Sequence, residues 1–408
     1  MALNPRAPRI LKPTLEKLFQ QYPIVTVTGP RQSGKTTLCR TTFPHLAYVN
    51  LERPDVRERV ENDPRGFLRR HPDGAILDEI QRVPELVSYL QVLVDEAGRT
   101  GQFVLTGSQH FKISQALGQS LAGRTALVRL LPFSIGEALA LRPDLGTDEM
   151  LFRGFYPRLY ERSLDPTQAL GDYFETYVER DVRQIGEIRN LTAFQRFVRL
   201  CAGRVGQLLN LSSLGADAGV SHTTAGEWLS VLEASFVVFR LQPYHANLSK
   251  RLVKSPKLYF YDVGLATFLL GVENEQQLYS HPLRGSLFEN LVVAEALKHR
   301  LHHGRRGNLF FLRDGRGFEV DLIYEMADKI LAAEVKSSAT LSDSFFRGLT
   351  KLRDLLGETV VGDLLVHDGE ETYRRRRTLV TYPRDLSASL DAMEREALGL
   401  GPWAGPSG

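Results

Sequence analysis

The stretch IVTVTGPRQSGKT, residues 24–36, decides the fold. Its first five residues form a β-branched, uncharged run that stops at Gly29, the pattern of a strand buried on both faces. Its last eight, Gly29, Pro30, Arg31, Gln32, Ser33, Gly34, Lys35 and Thr36, fit the phosphate-loop pattern in full; the segment from Lys35 onward reads as a helix, and Thr37 joins the expected nucleotide-binding residues. The chemistry needs these residue types at this spacing. Glycines let backbone N–H groups face phosphate oxygens, and the helix N-terminus adds a favourable partial charge. Lys35 is expected to reach the β- and γ-phosphates and Thr36 to ligate Mg2+, so ATP and Mg2+ are the expected cofactors.

Downstream, AYVNLE (47–52), AILDE (75–79) and QFVLTG (102–107) read as further buried strands. Helical stretches such as LVSYLQVLVDEAG (86–98) separate them, which predicts an open, mostly parallel α/β sheet for a first domain spanning 1–132. Asp78 and Glu79 end the apolar run AIL. A carboxylate there holds the magnesium shell, and its neighbour orients or deprotonates the attacking water. Ser108, just past the strand QFVLTG, is placed to sense the γ-phosphate.

Residues 133–188 read as a helical lid, with GDYFETYVERDVRQI (171–185) its clearest amphipathic segment. In 189–272 a helix, the turn LSSLGADAG (211–219), the helix SHTTAGEWLSVLEAS (221–235) and the strand FVVFRL (236–241) outline a winged helix-turn-helix, Ser221 being a natural N-cap. Residues 273–390 carry the helix LFENLVVAEALKHRL (287–301) and the strands NLFFLRD, FEVDLIYE and ILAAEVKS. A flexible tail is expected over 391–408, ending in WAGPSG.

The net charge of the 408 residues is only +3, so any basic surface must be local. Cys39 and Cys201 are the two cysteines, too few for a disulfide framework or zinc site. Both read as small apolar fillers, and a cytoplasmic protein is expected. No apolar run approaches the length needed to span a bilayer, and the N-terminus lacks the apolar stretch of a signal peptide. His302 and His303 sit in HRLHHGRRG, read as a solvated or phosphate-contacting turn.

Local basicity occurs between Arg240 and Lys257, where Arg240, Lys250, Arg251, Lys254 and Lys257 interleave with Tyr244 and His245 without an acidic residue. Such a patch neutralises phosphates while aromatics stack on bases. His222, Thr223 and Thr224 open the second helix of the helix-turn-helix, where DNA contacts fall. Glu227 and Glu233 on that helix argue against deep insertion into a groove, so DNA binding without sequence reading is expected.

A second constellation lies in the last domain: Glu289 on a helix, Asp321 on a strand, and Glu334 and Lys336 two apart on another strand, hence on one face. Hard oxygen ligands suit Mg2+, which activates water and polarises phosphate.

GPRQSGKTTL, LDEIQ, VLTGSQ, LAGR, LPFS and KSPKLYFYDVGLA (254–266) together are similar to AAA+ ATPases that carry a C-terminal domain of unknown function, DUF4143. The resemblance implies a homo-oligomeric ring, expected as a hexamer, completed by an arginine from the neighbouring subunit. Arg124 is the candidate by position, with Arg129 its rival; RGFYPRL departs from a clear sensor-arginine motif, and no residue is assigned to that role. The set Glu289, Asp321, Glu334 and Lys336 resembles the PD-(D/E)xK nuclease fold. That implies magnesium-binding carboxylates and a lysine that activates water or stabilises charge; Glu319, on the same strand face as Asp321, reads as an alternative ligand or an ordinary surface residue. The sequence thus predicts an ATP-hydrolysing motor that remodels or translocates on DNA, branched DNA included, with a Mg2+-dependent nuclease domain. The rival expectation is a nucleotide-dependent switch whose nuclease-like domain is an inert binding module. A small-molecule kinase is disfavoured, because nothing after the phosphate-loop domain resembles an acceptor lid.

Overall fold

The computed structural model describes residues 8–108, 121–162, 164–178, 188, 190–244 and 253–399. Five parallel strands, β1 (Ile24–Thr28), β2 (Ala47–Asn50), β3 (Ala75–Asp78), β4 (Phe103–Gly107) and β5 (Thr125–Arg129), form one sheet in the order β2-β3-β4-β1-β5. β1, β3 and β4 are buried along their whole length, as strands covered on both faces must be. AYVN does not fit the expectation of a buried strand: β2 is the edge, and its Ala47 is exposed. β5 alternates buried with exposed positions, too weak a signal over five residues to stand out in the sequence.

Helices Lys12–Gln21 and Lys35–Thr42 cover one face, packing Leu15, Phe19, Leu38 and Cys39 on Val25 and Val27. Helices Pro64–Arg69 and Leu86–Ala97 cover the other through Phe67, Leu86 and Leu90 against Leu77 and Leu105. Because β4 lies between β1 and β3, the chain crosses over it, and the carboxyl ends of β1 and β3 open a crevice where ligands of such sheets bind.

Short helices follow: Ile135–Leu139, Thr147–Arg153, Pro157–Glu161 and Pro166–Tyr173. The first is set by a reciprocal cap in which Ser134 Oγ accepts from Glu137 N while Glu137 accepts from Ser134 N. Only the first part of GDYFETYVERDVRQI lies within the described residues. Helices Leu191–Ala202, Leu211–Ala218 and His222–Ala234 come next. LSSLGADA is therefore a helix rather than a turn. Asn210 caps it, Leu214, Gly215 and Ala218 are buried, and the turn itself falls on Gly219 at φ +78°.

β6 (Val238–Pro243) pairs antiparallel with β7 (Lys257–Phe260) and parallel with β8 (Leu309–Arg313). With β9 (Glu319–Met326), β10 (Lys329–Lys336), β11 (Val360–His367), β12 (Tyr373–Arg375) and β13 (Thr378–Thr381) they make an eight-stranded mixed sheet, ordered β12-β13-β11-β10-β9-β8-β6-β7. The boundary expected at 272/273 is thus crossed by one sheet, because a two-stranded ribbon cannot bury its face alone and adds to a neighbour's edge. One core cluster correspondingly runs from Phe133 to Met393. Helix Arg284–His302, about 28 Å long by its 19 residues, is buried nearly all round and passes through that core. The expected tail starts later than 391. Helix Leu386–Ala397 buries Leu390, Ala392 and Met393, and only 400–408 of that tail lie outside the described residues. No helix among the described residues is long and apolar enough to cross a membrane.

Candidate nucleotide site and a second acidic site

Backbone shape comes first at the phosphate loop. Gly29 has φ +152°, and a Cβ there would lie 2.0 Å from the Leu130 carbonyl oxygen; Gly34 has φ +90°. Gln32, at φ +59°, accepts a left-handed conformation without being glycine, the kind of outlier that clusters at ligand sites. Lys35 is buried, and its Nζ donates to the carbonyls of Gly29 (2.9 Å) and Pro30 (2.7 Å). Burial pulls its pKa down, against the opposing pull of Glu79 and Asp78.

Thr36 Oγ1 reaches Asp78 Oδ1 at 3.0 Å and Oδ2 at 3.1 Å across the crevice. Tyr48 from β2 donates to Asp78 Oδ2 at 2.8 Å, and Thr106 from β4 donates to Oδ1. Neither residue carried a sequence signal, since each comes from a separate strand with no fixed spacing to the loop. Glu79 follows with φ +60°, its N–H on Thr106 Oγ1 at 3.3 Å. Its carboxylate accepts from Gln81 Nε2 and from Ser108 Oγ (3.3 Å), so Ser108 lies beside Glu79. Arg31 pairs with Glu52 at 3.7 Å.

A crevice of about 490 Å³ at the loop is lined by Lys35, Thr36 and Glu79 and by Arg158 and Arg162 of helix Pro157–Glu161 and its C-terminal end. An adjoining cavity of about 500 Å³ is lined by Gln32, Tyr156, Leu159, Leu170 and Tyr173. Arg158, which sits inside RGFYPRL, was missed because helix Pro157–Glu161 is too short to announce which face meets the loop. Arg9 was missed as well. Buried, it donates to Ser33 O (2.6 Å) and Leu131 O (2.8 Å), pairs with Glu137 (3.1 Å) and lies over the Phe133 ring, tying the loop to the lid.

Arg124 precedes β5 at the amino end of the sheet, about 16 Å along the strands from the loop, and pairs with Asp95 of its own chain at 2.6 Å. From that edge it does not reach the phosphate loop of its own chain. Arg129 ends β5 opposite Thr28.

His302 is fully buried rather than in a solvated turn, because the helix continues through it. Its Nε2 accepts from Leu131 N at 3.2 Å, and burial, then Arg9 and Lys298, drive its pKa well down. On the same helix Lys298 donates to Phe133 O (2.9 Å) and Glu295 accepts from Ile135 N (3.0 Å). Cys39 and Cys201 are buried thiols with pKa values pushed up by burial, which suits fillers rather than nucleophiles.

The second constellation does assemble, but around lysines. Lys336 Nζ lies 2.6 Å from Glu334 Oε2 and 3.1 Å from Asp321 Oδ2. Lys257 Nζ pairs with Glu289 at 2.8 Å and Glu319 at 2.5 Å, and Tyr259 OH also donates to Glu289. Lys257 is only 3 % exposed, so it is no part of a surface patch. Burial, then the charge of Asp321, raises the Glu334 pKa to about 8, and the same two causes raise Glu289. Carboxylates already ion-paired with lysines are poor donors to Mg2+. Among the described residues no group of three His, Cys, Asp or Glu is arranged to hold a metal, so this set does not fit one as it stands.

Of the other expected DNA contacts, His222 and Thr223 are exposed and Thr224 half-buried at the start of their helix, and Lys254 is exposed. Arg240 is neutralised by both oxygens of Glu233 (2.7 Å each). Lys250, Arg251 and His245 lie outside the described residues.

A parallel sheet, phosphate loop and acidic strand in this arrangement define a P-loop ATPase of the AAA type. The AAA domain family matches residues 21–139, a domain of unknown function, DUF8612, matches 146–276, and DUF4143 matches 284–384. Two proteins described as uncharacterized, from Mycobacterium tuberculosis and Mycobacterium bovis, are each 32% identical to this chain over 380 residues, covering 91% of it and 82% of their own length. The chain belongs to their family, the AAA-type ATPases with a C-terminal DUF4143 domain. Among solved structures, the Walker-type ATPase of Pyrococcus abyssi aligns with TM-score 0.41 at 14% identity, over 64% of this chain and 94% of that one. The RuvB Holliday junction branch migration motor of Thermotoga maritima aligns with TM-score 0.31 at 19% identity, over 58% and 93%.

Proposed function

We propose that this ATPase hydrolyses ATP with Mg2+ at the loop Gly29–Thr36 and uses the cycle to act on DNA, which its C-terminal domain holds without cutting. The observation that carries the reading is the contact of Thr36 with Asp78 beside Glu79, which sets a strand-end carboxylate within 3.1 Å of the loop threonine. Thr36 and Asp78 would hold Mg2+, which when bound neutralises charge on the phosphates. Lys35 leaves two backbone carbonyls to meet phosphate oxygens. Glu79 accepts the proton of the attacking water, and Gln81 with Ser108 fixes where its carboxylate points. Arg158 and Arg162 close over the phosphates from the lid, and Arg124 supplies a cation to the next subunit of a homo-oligomeric ring. His222, Thr223, Thr224 and Lys254, with Lys250 and Arg251, offer the winged-helix contacts to phosphate backbone.

Phosphate release, measured with and without duplex, single-stranded and branched DNA, tests this reading. DNA should accelerate the wild type, Lys35→Ala should release no phosphate, and no strand should be cut in Mg2+. Turnover indifferent to every DNA would overturn the DNA reading. Strand cutting lost in Lys336→Ala would show that the second site admits metal after all.

A further inference from the structure

The sequence YRRRRT, residues 373–378, closes the far edge of the eight-stranded sheet. β12 and β13 pair Arg375 with Thr378, so the hairpin turn is the dipeptide Arg376–Arg377. Arg376 sits at φ +57°. Two-residue hairpin turns take glycine, asparagine or aspartate at positive φ, so arginine here costs about 1 kcal/mol that the fold does not require. A local rule broken at an exposed position points to a use beyond folding.

Across from the turn lies helix Arg347–Leu356. Between them runs an open cleft of about 670 Å³ whose cations are Arg347, Lys351, Arg353, Arg375, Arg376 and Arg377. Two of the six are spoken for: Arg375 pairs with Asp343 at 2.6 Å and lies over Phe346, and Arg353 is held by the buried Asp363. Lys351 stands over the Phe318 ring at 4.2 Å. Among the described residues the side chains of Arg347, Arg376 and Arg377 make no ion pair or hydrogen bond, although all three residues are exposed and the charge of Arg377 reaches Asp363; Asp354 is the remaining carboxylate on the cleft wall. Protection of a sheet edge needs charge on the edge strand. It needs neither an arginine in a strained turn nor a facing row of cations on a helix.

The cleft also has a direction. Its helix begins against the second acidic site, where a Cβ on Gly348 would lie 2.0 Å from Glu334 Oε1. The helix that carries Arg347 and Lys351 thus starts beside Glu334. Meanwhile the stretch from Arg240 to Lys257 contributes fewer free charges than its sequence suggests, with Arg240 paired and Lys257 buried.

We propose that this cleft is the principal nucleic-acid grip of the C-terminal domain, holding the phosphate backbone of duplex DNA without reading bases. The inference rests on the DNA reading above and names the surface that carries it. A protein with so small a net charge binds a polyanion only where cations are gathered, and arginine forks suit phosphate oxygens.

The test uses the full chain and a short fluorescein-labelled duplex followed by anisotropy through a salt titration. The variant Arg376→Gln/Arg377→Gln is compared with the charge-matched Arg70→Gln/Lys329→Gln, whose residues are exposed elsewhere. ATPase without DNA, unchanged in both, shows that each is folded. The cleft variant should bind about tenfold more weakly near 0.1 M salt, with a salt slope shallower by about two, while the control keeps most of its affinity. Equal weakening of both variants, or none in the cleft variant, overturns the cleft while leaving DNA binding intact. A wild type that binds no duplex overturns the cleft and the DNA reading together and turns attention to acidic proteins.

Discussion

Glu79 and Glu295 show how much rests on single carboxylates in this protein. Glu79 is in a left-handed conformation and is held by Gln81 and Ser108 beside the phosphate loop. Replacing it with glutamine keeps the shape and removes the base, so turnover should fall by about 10²–10⁴-fold while nucleotide is still bound. Glu295 instead makes folding pH-dependent. Burial raises its pKa to about 7, above its ordinary value, and Lys298 only partly opposes this. A carboxyl raised in the folded state contributes most below its ordinary pKa and loses that contribution as pH rises toward 7. Between pH 5 and pH 8 the wild type should therefore lose stability on the order of 3 kcal/mol relative to Glu295→Gln, which keeps an acceptor for Ile135 N. Melting temperatures of both proteins at the two pH values check this, and parallel pH profiles would contradict it. The phosphate loop and the Asp78–Glu79 pair were legible because their residues are consecutive. Tyr48, Thr106, Arg9 and Arg158 were not, because tertiary folding alone brings them to the loop.

At the level of elements, the joint between lid and C-terminal region is made by YDVGLA, residues 261–266. Asp262 caps helix Val263–Leu269 through Leu265 N at 3.0 Å and also accepts from Phe155 N at 2.7 Å. Gly154 and Gly264 lie so close that a Cβ on Gly264 would stand 2.4 Å from Gly154 N. Asp262→Ala leaves two buried donors without a partner and should cost about 2–4 kcal/mol, with Asp262→Asn losing less, as read from denaturant midpoints. Equal losses would show that charge rather than the acceptor matters. The helix Leu211–Ala218 illustrates the opposite case, where the sequence misled. Serines, an aspartate and a glycine gave it poor helix propensity, and the burial of Leu214, Gly215 and Ala218 overrode that. Lys257 misled similarly: a run of basic residues reads as a surface, while its half-buried partners Glu289 and Glu319 come from a distant helix and strand.

Across the whole molecule, helix Arg284–His302 ties the two sites to one core. Glu289 near its start faces the lysine-filled acidic site, and Glu295, Lys298 and His302 farther along bond the segment 131–135 that leaves the ATPase sheet. Lys257 holds the acidic end together. Lys257→Met removes a buried cation from two half-buried carboxylates and should destabilise the chain by about 1–3 kcal/mol, whereas a neutral effect on unfolding would show that those carboxylates tolerate being unpaired. Glu79 is proposed to turn over the nucleotide that Lys35 helps to hold. Binding of a fluorescent ATP analogue and single-turnover hydrolysis, followed together in wild type, Lys35→Ala and Glu79→Gln, test it most directly. The expected result is hydrolysis in the wild type alone, with binding kept by Glu79→Gln and lost by Lys35→Ala. Hydrolysis at the wild-type rate in Glu79→Gln would contradict it.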